Sequence, residues 1–332
     1  MLYGVGTMKL TVVYATDANY VTLTVISAVS LLKHNPGARV VLLGCNLEDG
    51  AKDIVRTRVE ANGGEFVYLD VGEEIAKLAE NGYCGYTSYV TYARVFIPLL
   101  MATDERLIYL DGDTLVNGSL REMLDIPLNG KALAFGMDCV PCSFKRFLNI
   151  PGNQPYFNAG VMLLDPKAWR KKHLTERFLE ELEHPHGPVV LGDQDVYTRA
   201  FPEEIALLHP KWNFISHYFL FSYSGVCRVV GGRKNVLFSK EDYTEAQNDA
   251  RIYHFLGHTL GRPWYTSSKH PMREAYRQAA QNAGFPEFAE QIRPMGLDYK
   301  VQYWLHKYLP HPLFDLACHM LYRINILKNY HV

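Results

Sequence analysis

Short β-branched runs alternate with amphipathic stretches over the N-terminal part of the chain, and this alternation constrains the fold more than any other feature. "LTVVYAT" (10–16) reads as a buried strand, and the stretch from Tyr20 to Lys33 as a helix that stops near Pro36 and Gly37. "RVVLLG" (39–44), residues 49–62 and "EFVYLD" (65–70) continue the series as strand, helix and strand. The pattern predicts parallel βαβ units, with a sheet covered by helices on both faces. Further on, 88–101 reads as a helix, 105–113 as a central strand, and 132–138 and 160–165 as two more strands. A helix over 166–183 would start at Pro166. Another opens within 192–201, and 204–215 mixes strand and loop. A chain of 332 residues, 48% hydrophobic and 21% charged, can bury the core of one large α/β domain with additions, or of two domains.

The charge balance excludes one class of partner. Lys and Arg number 34 against 35 Asp and Glu, a net charge of -1, so no basic excess points to nucleic acid. The six cysteines are scattered, which fits a reducing compartment better than a disulfide scaffold. Cys139-Val-Pro-Cys142 has metal or redox spacing but no second such pair, and is read as structural. The N-terminus has only Lys9 as a basic residue and no long apolar run, unlike a signal peptide, and Met8 could be the true start. No apolar run is long enough to span a bilayer, so the expected location is cytoplasmic.

Four segments carry side chains suited to chemistry. Asp111-Gly112-Asp113 ends the apolar run at 105–110, and in open parallel sheets ligands bind at the carboxyl ends of strands. Two adjacent carboxylates either take a hard cation such as Mg²⁺ or Mn²⁺ between them or face water. Gly112 would let the backbone turn so that both side chains converge. In "YHFLGHTLGRPW" (253–264), His254 is either an imidazole ligand at a strand end or a satisfied loop histidine. Gly257 and Gly261 permit close backbone approach to a phosphate, and Arg262 offers a guanidinium suited to it. Asn158 precedes Ala159-Gly160 and a strand, with room for a sugar-sized ligand beside it. Asp193, Gln194 and Asp195 crowd a helix start, where they could simply cap free N–H groups.

Taken in order, "YATDANY", "TYARVFIPLL", "LIYLDGDTLV", "FNAGVMLLD", "GDQDVY" and "HFLG…RPW" resemble glycosyltransferase family 8, from about residue 9 to about residue 265. The resemblance implies a GT-A fold, a Rossmann-like and mostly parallel sheet flanked by helices. It also implies a retaining transfer of a hexose, galactose or glucose, from a UDP-sugar to a saccharide or glycolipid, with Mn²⁺ (or Mg²⁺) as cofactor. By that resemblance Asp111, Asp113 and His254 would hold the metal, and Ala15, Asp17, Asn19 and Tyr20 the uracil and ribose. Arg94 would lie near the donor sugar, with Gly112, Gly257 and Arg262 on the donor side. Asn158, Asp193 and Gln194 would line the sugar pocket as the catalytic group, and Asp138 would face the acceptor. The family usually reads HxxGxxKPW. Here His254 and Arg262 enclose a loop two residues longer, with Arg in place of Lys.

Gln194 is a poor nucleophile because an amide oxygen carries no full charge, so same-face attack with Gln194 stabilising the cationic sugar is the expected route. An Asp-nucleophile phosphatase would carry Thr or Val two residues beyond the second Asp, where this chain has Leu115. The non-enzymatic alternative is a catalytically weak sugar-nucleotide-binding protein. Residues 8–285 are expected to form the catalytic domain and 286–332 a helical, aromatic and basic tail. That tail, two short helices broken by Pro310 and Pro312, would either cap the core or lie on the inner face of the cell membrane. The latter would suit a lipid-linked acceptor in lipopolysaccharide or capsule synthesis.

Overall fold

The computed structural model describes residues 9–80, 89–257, 260–292, 296–310, 312–318 and 320–321. Among the described residues, ten strands form two sheets. They are β1 Thr11–Thr16, β2 Arg39–Gly44, β3 Glu65–Asp70, β4 Leu107–Leu110, β5 Thr114–Val116, β6 Leu133–Met137, β7 Phe157–Leu164, β8 Ile205–Leu207, β9 Phe214–Ile215 and β10 Ile252–His254. The larger sheet has the order β3-β2-β1-β4-β7-β6-β8, with only β7 running against its neighbours. The smaller has the order β5-β10-β9. This is the helix-flanked, mostly parallel architecture expected of the chain.

Hydrophobic burial explains the layers. Every residue of β4, β6 and β7 is buried, as continuous apolar runs require when both faces of a sheet are covered. One face packs under the helices Val21–His34, Asp49–Ala61 and Arg273–Asn282, and the other under Trp169, Phe178, Tyr197 and their neighbours. Each large apolar side chain buried this way contributes roughly 1.5–3 kcal/mol.

Helix Val21–His34 is buried nearly all round because it sits between the two sheets. Ser27 Oγ bridges Tyr14 Oη of β1 (3.1 Å) and Thr114 Oγ1 of β5 (2.8 Å), and Ser30 Oγ accepts from Val116 N (2.9 Å). Those bonds pin the Asp111–Asp113 link, where the chain leaves one sheet for the other.

Four expectations change in detail. Residues 88–101 do not form one α-helix: a 3-10 helix spans Tyr89–Phe96 and a short α-helix Ile97–Leu100, with Pro98 at its start. The helix expected over 166–183 breaks into Pro166–Lys171 and Leu174–Glu183 at His173, whose φ is 53°. β7 begins at Phe157, so Asn158 lies inside the strand rather than before it. Gly112 does not serve a left-handed turn. A Cβ there would meet Thr24 Oγ1 at 2.8 Å, so the missing side chain admits helix Val21–His34.

The tail is helical over Leu297–Tyr308 and again over 312–318, with Pro310 between the two and Pro312 opening the second. Its inner side docks through Phe314, Leu305, Leu309 and Cys318. The fully buried Asp315 pairs there with Arg228. Arg323 and Lys328 lie outside the described residues, as does Cys84. Cys45, Cys139, Cys142, Cys227 and Cys318 are all free thiols.

Candidate active site

Sheet register assembles the centre. Leu110 of β4 faces Val161 of β7, which brings Asp111 beside Gly160, and Asp111 N donates to Gly160 O at 2.8 Å. His254 of β10 faces Thr114 of β5, which sets the imidazole beside Asp113. The direction of β7 matters here. Because it runs antiparallel to β4, its N-terminal end, with Asn158, lies at the edge where β1 and β4 present their carboxyl ends.

Asp111, Asp113 and His254 offer ligand atoms that all lie within 4.8 Å of one another. His254 Nε2 stands 3.3 Å from Asp113 Oδ1 and 3.8 Å from Asp111 Oδ2. Neighbouring ligands of an octahedral Mg²⁺-sized ion, bound at about 2.1 Å, are about 3 Å apart, so these spacings fit one ion with small side-chain adjustments. Two carboxylates and an imidazole also suit Mn²⁺. Burial opposes the charge on Asp113, but its bond to His254 and the nearby Arg262 more than offset this and hold the carboxyl below its usual range. Burial likewise opposes the charge on His254, and Asp113 and Asp111 outweigh it and raise the imidazole above its usual value.

Gly160 completes this pocket by having no side chain. A Cβ there would lie 2.1 Å from His254 Cε1 and 2.7 Å from Asp111 Oδ2.

The buried guanidinium of Arg94 links the two acidic groups of the cleft. Its Nε lies 2.8 Å from Asp193 Oδ2, its Nη1 lies 3.4 Å from Asp111 Oδ1, and it also donates to Ala159 O. Tyr109 Oη donates to Asp111 Oδ1 at 2.7 Å. Burial raises the Asp193 carboxyl to about 7; Arg94 opposes that shift and Asp111 adds to it. Gln194 Nε2 donates to Tyr156 Oη at 3.2 Å. Asp195 faces away from the cleft. It accepts from the backbone N–H groups of Val190 (2.6 Å) and Leu191 (2.7 Å) and from Tyr156, which fixes the loop that carries Asp193 and Gln194.

Asp111, Asp113, His254, Arg94, Tyr109, Asp193 and Gln194 line one cavity of about 390 Å³ that also takes in Ala15, Asp17, Tyr20, Gly112, Asn158 and Arg262. Arg262 Nη2 reaches to 3.6 Å from Asp113 Oδ2, so the arginine beyond the longer loop still points at the acidic pair. Of the residues given site roles by the family resemblance, three lie outside the cavity wall. Asn19 is exposed, and its N–H bonds Asp17 Oδ1 at 2.9 Å. Gly257 is exposed behind Arg262, whose Nε would sit 3.2 Å from a Cβ at that position. Asp138 is 5% exposed; its Oδ1 accepts from Cys139 N (2.7 Å) and its Oδ2 from Asn158 Nδ2 (3.1 Å).

Sequence reasoning overlooked Thr16, Thr91, Tyr109, Leu191 and Leu256 in the wall, as well as Gly160 and Asn213. Tyr109 reads as part of an apolar run, and Thr91 sits three residues before Arg94 in a segment taken for a regular helix.

The sequence model for glycosyl transferase family 8 matches residues 11–268. General stress protein A of Bacillus subtilis (strain 168) is 27% identical over 273 residues, 80% of this chain and 91% of that protein. The lipopolysaccharide 1,2-glucosyltransferase of Escherichia coli (strain K12) is 24% identical over 317 residues, 89% of this chain and 84% of that enzyme. Among solved structures, the galactosyltransferase LgtC in complex with donor and acceptor sugar analogues superposes with a TM-score of 0.68 at 21% identity. That match covers 88% of this chain and 99% of LgtC, and it shows a shared fold.

Proposed function

The chain belongs to glycosyltransferase family 8, and we propose that it is a retaining, metal-dependent hexosyltransferase that moves galactose or glucose from a UDP-sugar to a saccharide or glycolipid acceptor. The observation that carries this reading is the convergence of Asp111, Asp113 and His254 in one cleft that Asn158, Asp193 and Gln194 also line. A half-buried and a buried carboxylate beside a buried imidazole make a poor place for a neutral ligand. It suits a cation that arrives with a diphosphate.

Asp111, Asp113 and His254 would hold Mn²⁺ or Mg²⁺. Bound there, the ion would supply Lewis-acid neutralisation of charge developing on the leaving nucleotide. Arg262 adds a second positive charge toward the diphosphate. Ala15 near the end of β1, and Asp17, Asn19 and Tyr20 on the loop after it, would hold the uracil and ribose.

Asp193 is a weak candidate for nucleophile, because Arg94 sits on it and burial disfavours its charge. Gln194 has its amide N–H on Tyr156, so its carbonyl oxygen is the group left to stabilise an oxocarbenium-like sugar. The reading is therefore same-face attack by the acceptor, with retention of configuration. Trapping a glycosyl adduct on Gln194 or a nearby aspartate would overturn it.

The tail supports a peripheral contact with an anionic membrane on its cytoplasmic face. Val301, Trp304 and Tyr308, then Leu313, Leu316 and Met320, are 45–59% exposed at helical spacing while the opposite side docks on the domain. Lys300 and Lys307 are exposed beside them, and the one acid at 300–332, Asp315, is buried. Trp and Tyr flanked by Lys suit the headgroup layer. Among the described residues no helix is long and apolar enough to cross a membrane.

Screening UDP-hexoses for Mn²⁺-dependent release of UDP tests the reaction. Binding of a UDP-sugar without release, with or without acceptors, would leave a sugar-nucleotide-binding protein instead.

A further inference from the structure

A chain of buried amides leads away from the cation site, and its polarity can be read from one backbone N–H. The backbone N–H of Gly160 can only donate, so the Asn158 atom it faces is Oδ1, and the atom 3.1 Å from Asp138 Oδ2 is the Nδ2 amide. Asn158 Oδ1 then points the other way, where it takes the backbone N–H of Gly160 (3.1 Å) and Asn213 Nδ2 (2.9 Å). Asn213 is fixed in turn, with its Oδ1 3.2 Å from His254 Nδ1. An amide oxygen can only accept, so Nδ1 carries a hydrogen and Nε2 keeps its lone pair for a cation.

Each member is almost fully buried, with exposures of 5% for Asp138, 2% for Asn158, 1% for Asn213 and 2% for His254. Reversing any link would therefore leave unpaired donors or acceptors away from water. Gly136 makes room for the arrangement, since a Cβ there would meet Asn213 Nδ2 at 2.8 Å.

We propose that Asn213 is a positioning residue: anchored through Asn158 on Asp138, it fixes the hydrogen of His254 on Nδ1 and turns Nε2 toward Asp111 and Asp113. The same side chain thereby couples the cation end of the cleft to Asn158 at the sugar end. Hydrogen-bonded partners of a metal-bound histidine orient the ring, and losing one typically weakens metal binding about 10–100-fold.

The inference rests on Asp111, Asp113 and His254 being a cation site, and Mn²⁺ alone is the probe. Mn²⁺ binding is measured without donor by electron paramagnetic resonance, and metal-free stability by thermal unfolding. Asn213→Ala removes the acceptor for His254 and is expected to weaken Mn²⁺ by about 10-fold or more with the metal-free fold retained. Asn213→Asp still accepts from His254, so it is expected to hold Mn²⁺ within a few-fold of wild type. It cannot donate to Asn158, so it should lower kcat at saturating Mn²⁺ and donor. Equal Mn²⁺ affinity in Asn213→Ala and wild type would overturn the proposal. So would equal loss of Mn²⁺ affinity in both variants, or collapse of the metal-free fold in both. A wild-type protein that binds no Mn²⁺ would instead sink the cation site itself.

Discussion

Gly160 and His254 touch so closely that no other residue fits at 160: a Cβ there would stand 2.1 Å from His254 Cε1. The strand that carries the cavity-lining Asn158 thus also sets how near the imidazole can approach the acidic pair.

Gly160→Ala is accordingly expected to push His254 and Asp111 apart. Mn²⁺ affinity should fall by about 10-fold or more, with a stability loss of about 1–3 kcal/mol from overpacking. Metal titration and urea unfolding read the two effects separately. Unchanged Mn²⁺ binding in a folded variant would refute the close-approach argument.

Arg94→Met removes the guanidinium that lies against both Asp111 and Asp193. Breaking a buried ion pair from one side leaves uncompensated charge and destabilises by about 3–5 kcal/mol. Urea unfolding at neutral pH checks this. A loss below about 1 kcal/mol, the range of an exposed pair, would mean that Arg94 is not a buried structural cation.

Two histidines outside the cleft predict acid sensitivity. Burial lowers His217 and His270 to about 4 in the folded chain, against an unfolded value of about 6.5. The unfolded chain therefore takes up these protons first. The stability they protect is complete above about pH 6.5 and is lost as pH falls toward 4, by about 1.4 kcal/mol per pH unit for each ring. His270→Asn should flatten the pH dependence of unfolding in that window by about that slope. An unchanged slope would show that His270 does not stay neutral.

Trp304→Glu combined with Leu316→Glu is expected to abolish sedimentation with vesicles containing anionic lipid and to leave UDP release unchanged. Wild-type binding should weaken with added salt, since screening reduces attraction between lysines and headgroups. Self-association through the exposed stripe, seen as a concentration-dependent mass without lipid, would argue for a second copy as its occupant.

Much of this was legible in the sequence, and the illegible parts share a cause. Asp111 and Asp113 are visible because a strand end and a turn are local features, and the bounds of β2 and β3 follow directly from their β-branched runs. The direction of β7 is not visible, because "FNAGVMLL" is equally apolar read either way. That direction is what brings Asn158 to the cation edge. Asn213 lies in a mixed stretch and matters only through partners 41 and 55 residues distant in the chain. The resemblance makes Asp138 face the acceptor, whereas in the fold both its oxygens serve bonds inside the protein.

The central claim is that Asp111, Asp113 and His254 hold a cation that in turn holds the diphosphate of a sugar nucleotide. Calorimetric titration of UDP, with and without Mn²⁺, into wild type and Asp113→Asn tests it most directly. The account predicts that Mn²⁺ strengthens UDP binding at least about 10-fold in wild type and hardly at all in the variant. Equal UDP affinity in all four titrations would contradict it.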